Sequence, residues 1–175
     1  MRINIVFTII IFFTISAINA QSNFMLQRMA DDDQNSRIGG ITDWDLLRKQ
    51  DSIRRIKVLE MMRDNKLNTA KDYYNAGIIF HHGNDTISSE MVVTCFKRAF
   101  YKDSTLNRWW YAAAVDRNLM RKGKPQIYGT QHITVKDTSG KAVTRLYDLD
   151  TTKITDEERS LHFVPSLAEL KKELK

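Results

Sequence analysis

One change of rhythm limits the folds open to this chain. Up to Gly123 apolar residues recur every three or four positions, and beyond Pro125 they alternate. The first spacing lines one face of a helix and the second one face of a strand. The chain therefore reads as mainly α, of the α+β kind: helical hairpins, then a small β-hairpin, then short C-terminal helices. With only 7 Gly and 2 Pro in 175 residues, a turn-rich β-sandwich is excluded.

Within the helical part, Phe24, Met25, Leu26 and Met29 form a short periodic piece, followed by the Asp31-Asp32-Asp33 triplet and a Gly39-Gly40 break. Thr42 or Asp43 can cap a helix from about Trp44 to Arg63, because their side-chain oxygens accept amides of the first turn. Its expected apolar stripe is Trp44, Leu47, Ile56, Leu59 and Met62, opposite a solvated basic face of Arg48, Lys49, Arg54, Arg55 and Lys57. A second helix covers 70–83 with Gly83 as its C-terminal cap, and Ser88 or Ser89 opens a third. The stripe of that third helix is Val92, Cys95 or Phe96, Ala99 and Phe100. A fourth covers 106–122 and stops at Gly123 and Pro125. The small pairs Ala76-Gly77 and Ala112-Ala113, with Val92, Phe96 and Ala99 between them, resemble a degenerate tetratricopeptide or Sel1-like helical repeat. An ordinary helical bundle accounts for the same order.

The hairpin is expected at about 126–149. Ile127, Gly129, Gln131, Ile133 and Val135 share one face, and Thr138-Ser139-Gly140 makes the turn. Thr155 with Glu158, and Ser166 with Glu169, read as capping boxes of the closing helices.

Residues 1–20 have the order of a secretory signal: Arg2, an apolar stretch from Ile5 to Ile15, then small and polar residues ending at Ala20. Cleavage there leaves 21–175 as a single helical domain, soluble and exported to the periplasm or beyond. The alternative is an uncleaved anchor, but a spanning helix needs about 20 apolar residues and this core falls short. The formal net charge of +6 would suit nucleic acid, which export argues against. Acidic ligands or anionic envelope surfaces are compatible, as is a basic protein whose charge only keeps it soluble. One Cys excludes an internal disulfide framework and an all-thiolate zinc site. His81 and His82 are adjacent, so on a helix they point about 100° apart and share no metal readily. Neither a metal nor a cofactor is implied.

Two polar residues stand out. Asp116 interrupts a stripe of Trp109, Ala112 or Ala113, and Met120, while Gln131 shares a strand face with Ile127, Ile133 and Val135. A buried carboxylate is costly unless it is paired, hydrogen-bonded or protonated. The two are expected to meet where the fourth helix hands over to the hairpin.

The run AAAVDRNLMRKGKPQIYGTQ resembles an uncharacterised bacterial domain family. Its hallmark is a helix-borne Asp-Arg followed by Gln-x-Tyr-Gly-Thr-Gln. Looser similarity reaches Asp33-Gln34, Arg37 and His82 upstream, with His81-His82 where the family usually has Gln-His, and Asp148 to Arg159 downstream. The resemblance implies a polar set of Asp33, Gln34, Arg37, His82, Asp116, Arg117, Gln126, Tyr128, Thr130 and Gln131, and no activity. In such a set Arg37 or Arg117 can pair with Asp116 or clamp an anion with forked donors, and Gln131 can orient a polar ligand. His82 is a group that can titrate near neutral pH.

Three functions fit. The first is a binding module whose pocket takes an unknown small ligand, or an interaction module for an envelope protein. An enzyme, hydrolase-like, would use His82, Asp116 and an Arg for acid-base work. In a structural protein the polar groups would satisfy one another and pin the hairpin to the helices.

Overall fold

Asn23 opens the first helix, α1 (Phe24–Asn35), by accepting the Leu26 amide on its side chain. The acidic triplet lies inside this helix, and Asp33 falls on its buried face with Leu26, Met29 and Ala30. A computed structural model describes residues 21–38, 40 and 43–173. The apolar leader and Thr42 lie outside the described residues. Four more long helices follow: α2 (Trp44–Arg63), α3 (Ala70–His81), α4 (Thr86–Lys102) and α5 (Trp109–Arg121).

Asp43 caps α2. Helix α4 starts earlier than expected, because Asp85 rather than Ser88 or Ser89 is the cap and accepts both the amide and the hydroxyl of Ser88. Helix α3 ends at His81, short of Gly83. Gly83 does not take the positive φ of a left-handed cap. A Cβ there would lie 2.3 Å from Ser88, so what it supplies is room. Gly123 does take the left-handed conformation, φ +66°, just past the end of α5. The start of α5 shifts from 106 to Trp109, whose amide is taken by the Asn107 side chain.

Helices α3 and α4 pack along their length, with α1 against α3 and α5 against α4. Ile79, Phe80, Val92, Cys95 and Phe96 are buried at this centre. A Cβ on Gly77 would come within 2.7 Å of the Phe96 ring, which is why a small residue stands there. Burying a side chain such as Phe96 contributes about 1.5–3 kcal/mol. Burial also pushes the Cys95 thiol up to about 12, so it acts as a small hydrophobe and not as a nucleophile.

Helix α2 keeps part of its expected inner face, with Leu47 buried and Met62 packed against the core, but turns the rest of it outward. Leu47, Asp51, Val58 and Met61 are buried, while Trp44, Ile56 and Leu59 are exposed. Arg54 turns inward from the supposedly solvated basic face, its side chain 11% exposed. The cause is electrostatic: Arg54 meets Asp33 on α1 and Asp51 meets Arg37 in the turn that follows it, so a polar pair occupies the middle of the inner face.

The sheet has two antiparallel strands, β1 (His132–Lys136) and β2 (Ala142–Leu146), pairing His132 with Leu146 and Lys136 with Ala142. Residues 127–131 are not part of the strand, contrary to the alternation. Their amides are drawn to Asp116 on α5. Helices α6 (Asp156–Leu161) and α7 (Leu167–Glu173) close the chain. The fold is thus mainly helical with one small hairpin.

Candidate functional site

Asp116 is fully buried and accepts four hydrogen bonds. Its Oδ1 takes the amides of Ile127 (2.8 Å) and Tyr128 (2.9 Å). Its Oδ2 takes the amide (2.9 Å) and the hydroxyl (2.8 Å) of Thr130. From the other side Arg159, also fully buried, donates to the carbonyls of Tyr128 at 2.8 Å and Ile127 at 3.0 Å. Gln126 ties the ends of the loop by accepting the Gln131 amide and donating to the carbonyls of Gln131 and Tyr147. Gly129 supplies the bend at φ +83°, and a Cβ there would stand 2.5 Å from Leu170. Burial, and next the nearby Glu158 carboxylate, raise the Tyr128 hydroxyl above its ordinary value. Asp116, Gln126, Tyr128 and Thr130 therefore form an internal frame. Asp116 and Gln131 do meet, but through Thr130: its hydroxyl donates to Asp116 and accepts from Gln131 Nε2 at 3.0 Å.

The frame aims Arg117, the next residue on α5, away from itself. Gln131 Oε1 accepts from Arg117 Nε at 3.1 Å, and Arg117 Nη1 lies 2.8 Å from His81 Nε2. A guanidinium only donates, so His81 Nε2 accepts and its proton sits on Nδ1. That Nδ1 is buried and has no hydrogen-bond partner among the described residues. Burial lowers the His81 pKa to about 3, helped by the charges of Arg117, His82, Arg121 and Arg37. Arg117 itself is lowered by burial and by Arg121, one turn further along α5. Among the described residues no carboxylate pairs with Arg117.

A second polar cluster joins α1 to α2. Arg37 donates to Asp51 Oδ2 at 2.7 Å, and Arg54 to Asp51 Oδ1 at 2.7 Å. Burial raises Asp51, but hydrogen bonds from Arg54 and then Arg37 outweigh that and hold its carboxyl below the ordinary value. Behind it, fully buried Asp33 has Arg37 at 3.2 Å, Arg54 at 3.5 Å and His82 Nε2 at 3.3 Å. These approaches are electrostatic more than aligned, since Asp33 Oδ1 and Arg54 Nε make no hydrogen bond. Gln34 Nε2 donates to Asp33 Oδ2 at 2.9 Å and lies 3.4 Å from His82 Nε2.

Between these clusters lies a cavity of about 420 Å³. Arg37, Arg48 and Asp51 form one wall, and His81, His82, Arg117 and Arg121 the other. Four guanidiniums thus face one carboxylate, which two arginines already hold. Of the residues expected from the sequence, Arg37, His82 and Arg117 line this cavity, and Gln131 holds Arg117 in place. Asp116, Gln126, Tyr128 and Thr130 stand behind α5 in the frame. Sequence reasoning missed Asp51, Arg54, Arg121 and Arg159. The spacing of four between Arg117 and Arg121, which puts both on one face of α5, was the available signal for one of them.

No curated protein and no solved structure matches the chain. A model of a family of unknown function, DUF6624, matches residues 25–151, more than half of the chain and inclusive of both clusters.

Proposed function

The chain belongs to the family of unknown function DUF6624, and we propose that it is a binding module for a small anionic ligand. One observation carries this reading: Arg117 is half-buried at the cavity wall, beside Arg121, with only neutral acceptors in His81 and Gln131. A buried cation without a counter-charge is costly. A bound anion would supply that charge, and paired guanidiniums suit phosphate or carboxylate oxygens. The leader-like first 20 residues support placing this activity in the periplasm or outside the cell. Intact mass of the envelope form should show a chain beginning at Gln21. A full-length, membrane-held chain would overturn that placement.

Calorimetric titration with inorganic phosphate at low ionic strength tests the binding reading. A charge-assisted hydrogen bond is worth about 1.5–3 kcal/mol, so Arg117→Gln should weaken phosphate binding by about tenfold or more. Raised salt should weaken it further in the wild type. Equal affinity in the two proteins, or no binding to either, would remove the reading. A second reading, hydrolysis, draws on the 3.3 Å contact of His82 with Asp33 at the cavity wall, and not on Asp116. Turnover of an aryl phosphate that vanishes in His82→Ala would favour it, and absence of turnover leaves a binder.

A further inference from the structure

Helix α2 carries on its outer side a pattern that its own fold does not use. Leu46, Lys49, Ile53, Ile56, Glu60 and Arg63 are all exposed and follow one another at alternating steps of three and four. At 3.6 residues per turn they fall within about 100° of arc, opposite the buried Leu47, Asp51, Val58 and Met61. Such spacing makes a seam along which two helices pack, each side chain seated among those of the facing helix. About half of each apolar side chain in it is left in water: Leu46 is 52% exposed, Ile53 45% and Ile56 54%.

The charges in the seam choose its partner. Laid antiparallel on a second copy, about a two-fold axis between Arg54 and Arg55, the seam sets Ile53 opposite Ile56 of the other copy. The same register sets Lys49 opposite Glu60 and Leu46 opposite Arg63, and the symmetry makes each contact twice. The Arg63 stem can cover Leu46 while its guanidinium reaches toward Asp45. Asp45 already pairs with Arg48 and Arg63 approaches Asp64 within the chain. Lys49 and Glu60 form no ion pair among the described residues, so these two set the register. A parallel pairing would place Lys49 on Lys49 and Glu60 on Glu60, which repel. An anionic lipid surface would attract the lysine but repel Glu60 and Asp45 on the same face.

We propose that α2 docks through this seam on α2 of a second copy of the chain, antiparallel, to give a two-fold dimer. Leu47 and Asp51, which line the arginine cavity, lie on the opposite side of the helix, so the proposal is independent of the anion reading. One pair of helices makes a small interface, which places the expected dimer in the micromolar to millimolar range.

Sedimentation equilibrium of the chain from Gln21 onward, between about 10 µM and 1 mM, tests it. The wild type should pass from monomer to dimer. Lys49→Glu turns two attractions per dimer into repulsions and should raise the dimer Kd about tenfold or more, as should Glu60→Lys. Mixed together, these two variants should associate to within about threefold of the wild type, because every seam charge again meets its opposite. Ile53→Asp should remain monomeric and keep the wild-type urea midpoint, since the site is on the surface. A wild type still monomeric at about 1 mM overturns the proposal. So does a dimer that Ile53→Asp leaves intact, or a mixture of the two charge variants that associates no better than either alone. Co-sedimentation with phosphatidylglycerol vesicles that Ile53→Asp abolishes, while the free chain stays monomeric, would assign the face to an anionic membrane instead.

Discussion

Asp116 and Arg117 are consecutive on α5 and do opposite work. The carboxylate is satisfied four times over by the loop it holds, whereas the guanidinium beside it pairs with no carboxylate among the described residues. Removing the first should therefore cost stability, and removing the second binding. Asp116→Ala orphans three backbone amides and a hydroxyl, and at about 1–3 kcal/mol for each buried unsatisfied donor the loss should exceed about 3 kcal/mol. Urea titration reads this directly, and a loss under about 1 kcal/mol would mean the frame is not structural. His81 gives a pH dependence. Its folded pKa of about 3 lies below the ordinary 6.5, so between those values the unfolded chain binds the extra proton. Stability should then fall as pH drops from about 6.5 toward 3. The carboxyls of Asp51 and Asp72 are held below 3.8, so the stability they supply persists above that value and is lost only beneath it. Between pH 6.5 and 4.5 the imidazole can thus be isolated: His81→Gln should flatten the slope of the urea midpoint, and an unchanged slope would refute the assignment. Much of this was legible in the chain. Asp116 and Gln131 stood out because each interrupts an apolar face, and both are buried. Their joint through Thr130 was not legible, since no spacing reports a hydroxyl shared between two elements.

Helices announced themselves better than their faces did. Asp43 on α2 and Gly123 after α5 mark ends that local chemistry sets, and both stand where the sequence puts them. The buried face of α2 was misjudged because Asp51 and Arg54 look solvated until Asp33 on α1 and Arg37 just past its end are seen opposite them. Long-range pairing of charges leaves no periodic trace. The same holds for 127–131, where alternation suggests a strand but Asp116 takes the amides a strand would need for its ladder. Gly129 and Gly140 let this be measured. Both have φ +83°, yet a Cβ meets Leu170 at 2.5 Å in the first case and nothing within 4 Å in the second. Gly140→Ala should cost only the left-handed penalty, about 1–2 kcal/mol. Gly129→Ala should cost about 1–3 kcal/mol more, because overpacking adds to that penalty. Equal losses would show that the loop and α7 are free to part.

Across the molecule, the arginine pocket sits at the weakest seam. Helix α2 touches the rest sparsely, while α3 and α4 form the tight centre, and much of the outer face of α2 is exposed apolar surface at Leu46, Ile53 and Ile56. The ends of α2 are fixed by Asp43 and by the Leu47, Val58 and Met61 contacts, but its middle is tied down by Asp51 and Arg54 to α1. The cavity lies between that segment, with Arg48 and Asp51, and the wall of His81, Arg117 and Arg121. An anion bound there would bridge α2 to α5, two helices that otherwise make little contact. Local opening of α2 is then linked to ligand release, and protection should follow mass action. At a phosphate concentration of about 100 times Kd, opening of α2 becomes about 2.7 kcal/mol harder, a slowing of amide exchange of about a hundredfold. Amides of α3 and α4, which exchange only when the whole fold opens and the anion leaves, should slow by a similar factor from a slower start, whereas openings that keep the anion bound should not slow. Hydrogen exchange read by mass spectrometry resolves these helices separately. Arg117→Gln, which leaves the Asp116 frame intact, should cut the protection of α2 by about tenfold or more at the same phosphate concentration and spare the basal rates elsewhere. Unchanged exchange in α2 beside slowed exchange in α3 and α4 would instead place the anion at a site that α2 does not hold, and the seam would lose its role.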